Sequence, residues 1–259
     1  MRISIASYAF HGLVREGKMD VFGYLESCKY RYGLQSADIW NGMLPTTDED
    51  YLQKVKDALD ERELTLANLC VDQAHIWEND PDARERNYQN ALAHLRAAEI
   101  LGARTIRIDA GSRDPDFSAE QFDWIVRRYK EYAQRAYDHG YKVGPENHWG
   151  PERIPANMRR LIEAVDSPAF GLLLHFGNWQ ADDPDQADAQ AASWAMHTHL
   201  SWAITAGPLV EKMRQLRDAN YQGYWGIEYH TAQNEYSQVA VQVAQVRDVL
   251  QQWRTGSLA

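Results

Sequence analysis

The sequence has little cysteine, no excess of basic charge and no long apolar run, and each shortage removes a class of function. Only two cysteines occur in 259 residues, Cys28 in a helical stretch and Cys70 in an apolar strand-like run. Two isolated thiols make neither a disulfide framework nor a thiolate zinc site, so both are expected to be reduced core residues. Lys plus Arg number 27 against 37 Asp plus Glu, a formal charge of −10, which repels nucleic-acid phosphates and anionic lipid. No segment reaches the roughly 18 apolar residues of a membrane span, and the N-terminal MRISIASYAF lacks the basic region and apolar stretch of a secretion signal. A soluble, cytoplasmic protein is expected. GxGxxG and GxxxxGK[ST] are both missing, so no phosphate-cradling loop is indicated. No Gly/Ser or Pro-rich linker divides the chain, which predicts one domain over 1–259.

What is present is a regular alternation of short β-like runs and longer amphipathic helical stretches. The runs are ISIASY, LQSADIW, LTLANLCV, ARTIRIDA, YKVGPEN, FGLLLHF, AMHTHLSW and YWGIEYH, eight in all. Helical stretches between them carry their own stop signals, as in Asp80 to Gly102 and Ser118 to Gly140. Eight βα units in about 250 residues predict a single-domain (β/α)8 TIM barrel. An open doubly wound sheet is the alternative, but polar residues gather at the C-terminal edges of six runs rather than in one glycine-rich turn.

The last four runs bring the chemistry. Strand five ends in Glu146, Asn147, His148 and Trp149, with period two placing Glu146 and His148 on one side. Strand six carries His175, followed by Asn178 and Trp179; strand seven carries His197 and His199; strand eight brings Glu228, with His230 just beyond. Glu146, His175, His199 and Glu228 thus form a mixed nitrogen and oxygen set that suits Mn²⁺ or Zn²⁺ best, with Co²⁺, Fe²⁺ and Mg²⁺ as further choices. The alternative readings are hydrogen-bonded core histidines or a metal-free carboxylate pair working as acid and base. Asp109 and Arg107 share a face of strand four and are candidates for binding substrate hydroxyls or for an internal salt bridge, and Asp38 poses the same choice. Six tryptophans lie near strand ends, and Trp149 and Trp179 are the two singled out to stack on a sugar. His75 is left open.

These segments, with SYAF, DPDARERNYQNALAHLRAAEILGARTIRIDAG and ENHWGPERIPANMRRLIEAV, resemble the xylose isomerase-like barrel superfamily of sugar phosphate isomerases and epimerases over nearly the whole chain. The resemblance implies one divalent metal held at the positions of Glu146, His175, His199 and Glu228, with Glu146 and Glu228 moving a proton beside a metal-polarised carbonyl. It further implies a small carbohydrate substrate and a homo-oligomer as a state to expect. His148, following the metal-binding glutamate, is the supporting acid or base, and opens a lyase reading on 3-keto sugars. Two departures mark this chain. His175 stands where relatives have Asp, and Leu200, Ser201 and Trp202 stand where relatives continue with Leu-Lys-Asp. The first shifts the site toward nitrogen-preferring metals and keeps a noncatalytic sugar-binding barrel in view; the second, with few cations at the strand ends, favours an unphosphorylated sugar, keto sugar or inositol derivative. The DNA-repair endonucleases of the same superfamily need three zinc ions, and Asp109 and Asn178 stand where two of the required histidines belong.

Overall fold

A computed structural model describes residues 1–258. All eight anticipated strands form: β1 (Ile3–Ile5), β2 (Ser36–Trp40), β3 (Thr65–Val71), β4 (Thr105–Ile108), β5 (Lys142–Gly144), β6 (Leu172–His175), β7 (Ala195–Leu200) and β8 (Trp225–Ile227). Every ladder is parallel. One run pairs β1, β8, β7 and β6, another pairs β2, β3, β4 and β5. Single bridges close the two seams, Ala6 with Asp38 between β1 and β2, and Val143 with Phe170 and Glu146 with Leu173 between β5 and β6. The result is a closed (β/α)8 barrel.

The principal helix after each strand is α1 (Val21–Glu26), α2 (Glu49–Glu61), α3 (Pro81–Leu101), α4 (Ala119–His139), α5 (Pro155–Val165), α6 (Pro184–Ala191), α7 (Leu209–Asp218) and α8 (Glu235–Thr255). Local chemistry sets their ends. The Asp80 side chain accepts from the Asp82 N–H at the start of α3, and Ser118 forms a reciprocal capping box with Gln121 at the start of α4. Both helices stop at a left-handed glycine, Gly102 and Gly140. No helix among the described residues is long and apolar enough to cross a membrane.

Parallel strands buried on both faces read as continuous apolar runs, and Leu172, Leu173 and Leu174 of β6 are fully buried for that reason. At the β5/β6 seam the backbones come so close that a Cβ on Gly144 would lie 1.7 Å from the Gly171 carbonyl oxygen, so only glycine fits there. Alternation along each strand then divides the buried residues. Ile39, Leu69, Val71, Ile106, Ile108 and Ile227 join the large apolar core with the helices, whereas only Cys70, Leu173 and Met196 form a small second cluster. The intervening positions are polar and fully or nearly buried: Asp38, Asn68, Thr105, Arg107, His197 and His199. Barrel interiors are commonly packed with branched aliphatics. Here polar side chains take much of that space, directly beneath the C-terminal strand ends.

Candidate metal centre

The ligand atoms of Glu146, His175, His199 and Glu228 all lie within 4.8 Å of one another, and all four residues are buried. His175 Nδ1 sits 2.9 Å from Glu146 Oε1 and 3.5 Å from Glu228 Oε2. His199 Nδ1 lies 3.6 Å from Glu146 Oε1 and 3.5 Å from Glu228 Oε1, yet it has no hydrogen-bond partner. A buried imidazole nitrogen aimed at two carboxylates without bonding either is costly as a structural arrangement and well suited to a cation. Burial alone would raise the Glu146 carboxyl, but His148, His175 and His199 hold it well below the usual carboxylate range. Burial likewise opposes ionisation of Glu228, and His199, His230 and His175 bring it down to about 2. The same pairs, working against burial, raise the pKa of both His175 and His199.

Behind His199 stands Asp38, which the sequence left undecided between substrate contact and salt bridge. It is fully buried at the centre of a polar network. Its Oδ2 lies 2.7 Å from His197 Nε2 and 3.2 Å from His199 Nε2, and its Oδ1 accepts from Asn68 Nδ2 at 3.1 Å. Asn68 in turn accepts from Thr105 Oγ1 at 2.8 Å. Burial would raise the Asp38 carboxyl, but the two histidines push it far below the ordinary range, so it accepts only. In its neutral, metal-binding form His199 therefore carries its proton on Nε2 and presents the Nδ1 lone pair to the site between the glutamates. Asp38, Cys70 and His199 also converge as a second set of donor atoms. Both Asp38 oxygens are already engaged, however, and burial pushes the Cys70 thiol up, so the set serves as the support of His199. Gly226 makes room for it: a Cβ there would lie 2.9 Å from His197 Nε2 and 3.1 Å from His199 Cδ2.

Around this centre the sequence candidates separate. His148 does not share a strand face with Glu146, because β5 ends at Gly144 and a tight turn follows, with the His148 N–H donating to the Glu146 carbonyl. The turn still brings His148 Nδ1 to 3.6 Å from Glu146 Oε2. Trp149 is 44% exposed, with its ring 4.2 Å from that of His148. Asn178 is half-buried and donates to the Asn147 carbonyl.

Three substrate-contact candidates are engaged within the protein. Asp109 is fully buried and satisfied: Oδ1 accepts the Glu146 N–H, and Oδ2 accepts Arg107 Nη1 at 2.7 Å and Trp149 Nε1 at 3.2 Å. Arg107 is buried between Asp109 and Asp72, with Nε 3.5 Å from Glu146 Oε2. These two form an internal ion network that steadies Glu146. Trp179 is only 3% exposed, and its indole N–H donates to Asp188, which also binds Lys212 and the Gly177 N–H. It anchors the loop after β6 to α6 and α7.

Two residues that the sequence did not place in the site belong beside it. His230 Nε2 is 2.9 Å from Glu228 Oε2, and its ring lies 5.9 Å from that of His175. Trp202, 39% exposed, lines a cavity of about 560 Å³ together with His230. The nearness of His230 to Glu228 in sequence was a signal for the first, and the departure directly after His199 was one for Trp202. His75 lines a separate cavity of about 220 Å³ with Trp149.

Three solved structures show the same fold. D-psicose 3-epimerase from Clostridium cellulolyticum H10 aligns with a TM-score of 0.77 at 17% identity, covering 98% of this chain and 99% of that one. The 3-keto-D-glucoside 4-epimerase of E. coli gives 0.73 at 19%, covering 96% and 99%. A xylose isomerase-like TIM barrel protein from Mycobacterium smegmatis, solved in complex with magnesium, gives 0.72 at 14%, covering 95% and 97%. No curated protein sequence matches the chain. Residues 30–253 do match the family described as "Xylose isomerase-like TIM barrel", and the chain belongs to that family.

Proposed function

We propose that this protein is a divalent-metal-dependent isomerase or epimerase acting on an unphosphorylated sugar, keto sugar or inositol derivative. The observation that carries the reading is the unpartnered Nδ1 of His199, buried and directed at Glu146 and Glu228, with His175 Nδ1 converging on the same two carboxylates. The donor set of two imidazoles and two carboxylates fits a borderline cation, Mn²⁺ or Zn²⁺ before Mg²⁺. When bound, such an ion would polarise a substrate carbonyl and ease removal of the neighbouring proton. Glu146 and Glu228 would take and return that proton. Arg107, held by Asp72 and Asp109, keeps Glu146 ionised, and His230 does the same for Glu228. His148, partly exposed and next to Glu146, is placed to carry a proton between that carboxylate and a substrate hydroxyl. Supporting the reading, the Clostridium and E. coli proteins are named as sugar epimerases, and the Mycobacterium structure is described as a magnesium complex.

The test is elemental analysis of purified wild-type, His175→Asp and His175→Ala protein, together with deuterium uptake from solvent into ketoses. Wild-type protein should retain or take up about one divalent ion per chain, and Glu146→Gln and Glu228→Gln should abolish uptake while the fold persists. A wild-type protein that binds no divalent ion even when supplied would end the proposal.

A further inference from the structure

A cavity lies beside the metal centre, joined to it through His230. The cavity of about 560 Å³ lies within the range of a complete small-molecule site, roughly 300 to 1,000 Å³. Yet of the residues around the centre it shares only His230; Glu146, His175 and His199 do not line it. Glu228 does not line it either, so a ring held over Glu146 and Glu228 leaves these lining residues for another part of the substrate.

Its lining says what fits. Trp202 presents an open indole at one wall, braced edge-on by Tyr229 with ring centroids 6.1 Å apart. Ser201, Thr231 and Gln238 line the same cavity, and among the described residues none of their three side chains has a hydrogen-bond partner within the protein. No Lys, Arg, Asp or Glu lines it. An aromatic face ringed by free hydroxyl and amide groups, without formal charge apart from the edge histidine, complements a neutral polyhydroxylated ring and offers a phosphate no cation.

We infer that the substrate is a glycoside, with the reacting ring over Glu146 and Glu228 and a second, neutral glycosyl group against Trp202. This rests on the sugar-isomerase reading and extends it to the substrate class. The arrangement would draw on binding energy from a part of the substrate that does not react.

The test is calorimetric binding to Mn²⁺-loaded protein of D-glucose, glucose 6-phosphate, and the disaccharides maltose, cellobiose and trehalose. At least one disaccharide should bind ten or more times tighter than glucose, an advantage of about 1.4 kcal/mol. Trp202→Ala and Gln238→Ala should remove most of that advantage, leaving glucose affinity within about twofold and the circular dichroism spectrum unchanged. Equal affinities for glucose and all three disaccharides, or an advantage that survives Trp202→Ala, would overturn the inference. So would a tenfold preference for glucose 6-phosphate that Trp202→Ala removes. Deuterium uptake into free ketoses, undiminished in Trp202→Ala, together with equal affinities would sink the second ring and leave the isomerase reading standing; absence of metal binding would sink both.

Discussion

Replacing Asp38 with Asn keeps the shape of the side chain and removes the charge that fixes the His199 tautomer. In the wild type, Asp38 Oδ2 lies 2.7 Å from His197 Nε2 and 3.2 Å from His199 Nε2, so both rings point an N–H at one oxygen. An amide at that position offers one oxygen and one NH2. Whichever way it turns, Asn68 Nδ2, His197 and His199 can no longer all donate to it. If the NH2 faces His199, Nε2 must accept and the proton moves to Nδ1, where it occupies the lone pair aimed at Glu146 and Glu228. Loss of a carboxylate behind a metal-binding histidine costs about 10- to 100-fold in metal affinity, or about 1.4 to 2.7 kcal/mol. We expect Asp38→Asn to weaken Mn²⁺ or Zn²⁺ binding by that factor in a competition titration against a chelator, and to lower the melting temperature of the metal-free protein. Asp38 is held well below its usual range, so its ionic contribution is present above the unfolded-state value of about 3.9 and is lost only as pH falls through the lower folded-state value. The affinity gap between variant and wild type should therefore stay constant from about pH 5 to 8 as far as Asp38 is concerned. An Asp38→Asn protein that binds metal within threefold of wild type would refute the orienting role.

Three further outcomes are expected. Glu152 is fully buried with Oε2 unpartnered, and burial together with the neighbouring Asp109 pushes its pKa well up. The folded state thus keeps a proton the unfolded chain has released, and stability drops by about 1.4 kcal/mol per pH unit between the unfolded-state value of about 4.3 and the higher folded-state value, above which it levels off. Glu152→Gln should remove that slope, so its melting temperature should gain on wild type as pH rises; parallel curves would contradict the assignment. Trp179→Phe removes the indole N–H bond to Asp188 and should cost about 1.5 to 3 kcal/mol in chemical denaturation, without altering metal or sugar affinity. A selective loss of sugar affinity would instead support the stacking role. Because the raised pKa values of His175 and His199 make protons compete with a cation, apparent metal affinity should increase with pH through the imidazole range. Calorimetry in buffers of different ionisation enthalpy should detect the released protons, and pH-independent binding would exclude these ligands.

Much of the fold was legible because its signals are local. Apolar runs of strand length, Asp and Ser caps and terminal glycines depend on neighbours within a few residues, and they gave the eight strands and the ends of α3 and α4. The four candidate ligands could be named from the sequence because a parallel barrel carries every strand's C-terminal end to one face. Their neighbours could not all be read this way. Period two assigned His148 to the side of Glu146, but the strand had already ended, and a turn brings the ring there instead. Position in the sequence did not tell which tryptophan is open: Trp179 is buried and bonded to Asp188 of α6, whereas Trp202 stands open at a cavity.

The sequence by itself determined the barrel, the ends of α3 and α4 and which strand ends carry carboxylates and imidazoles, because periodicity and capping are properties of short segments. Only the tertiary structure decided what each of those groups does. Asp38 meets His197 and His199 across some 160 positions of chain, and Arg107 meets Glu146 across 39. Whether a polar side chain faces a substrate or steadies another residue depends on such distant pairings, which exist only once barrel closure has buried them together.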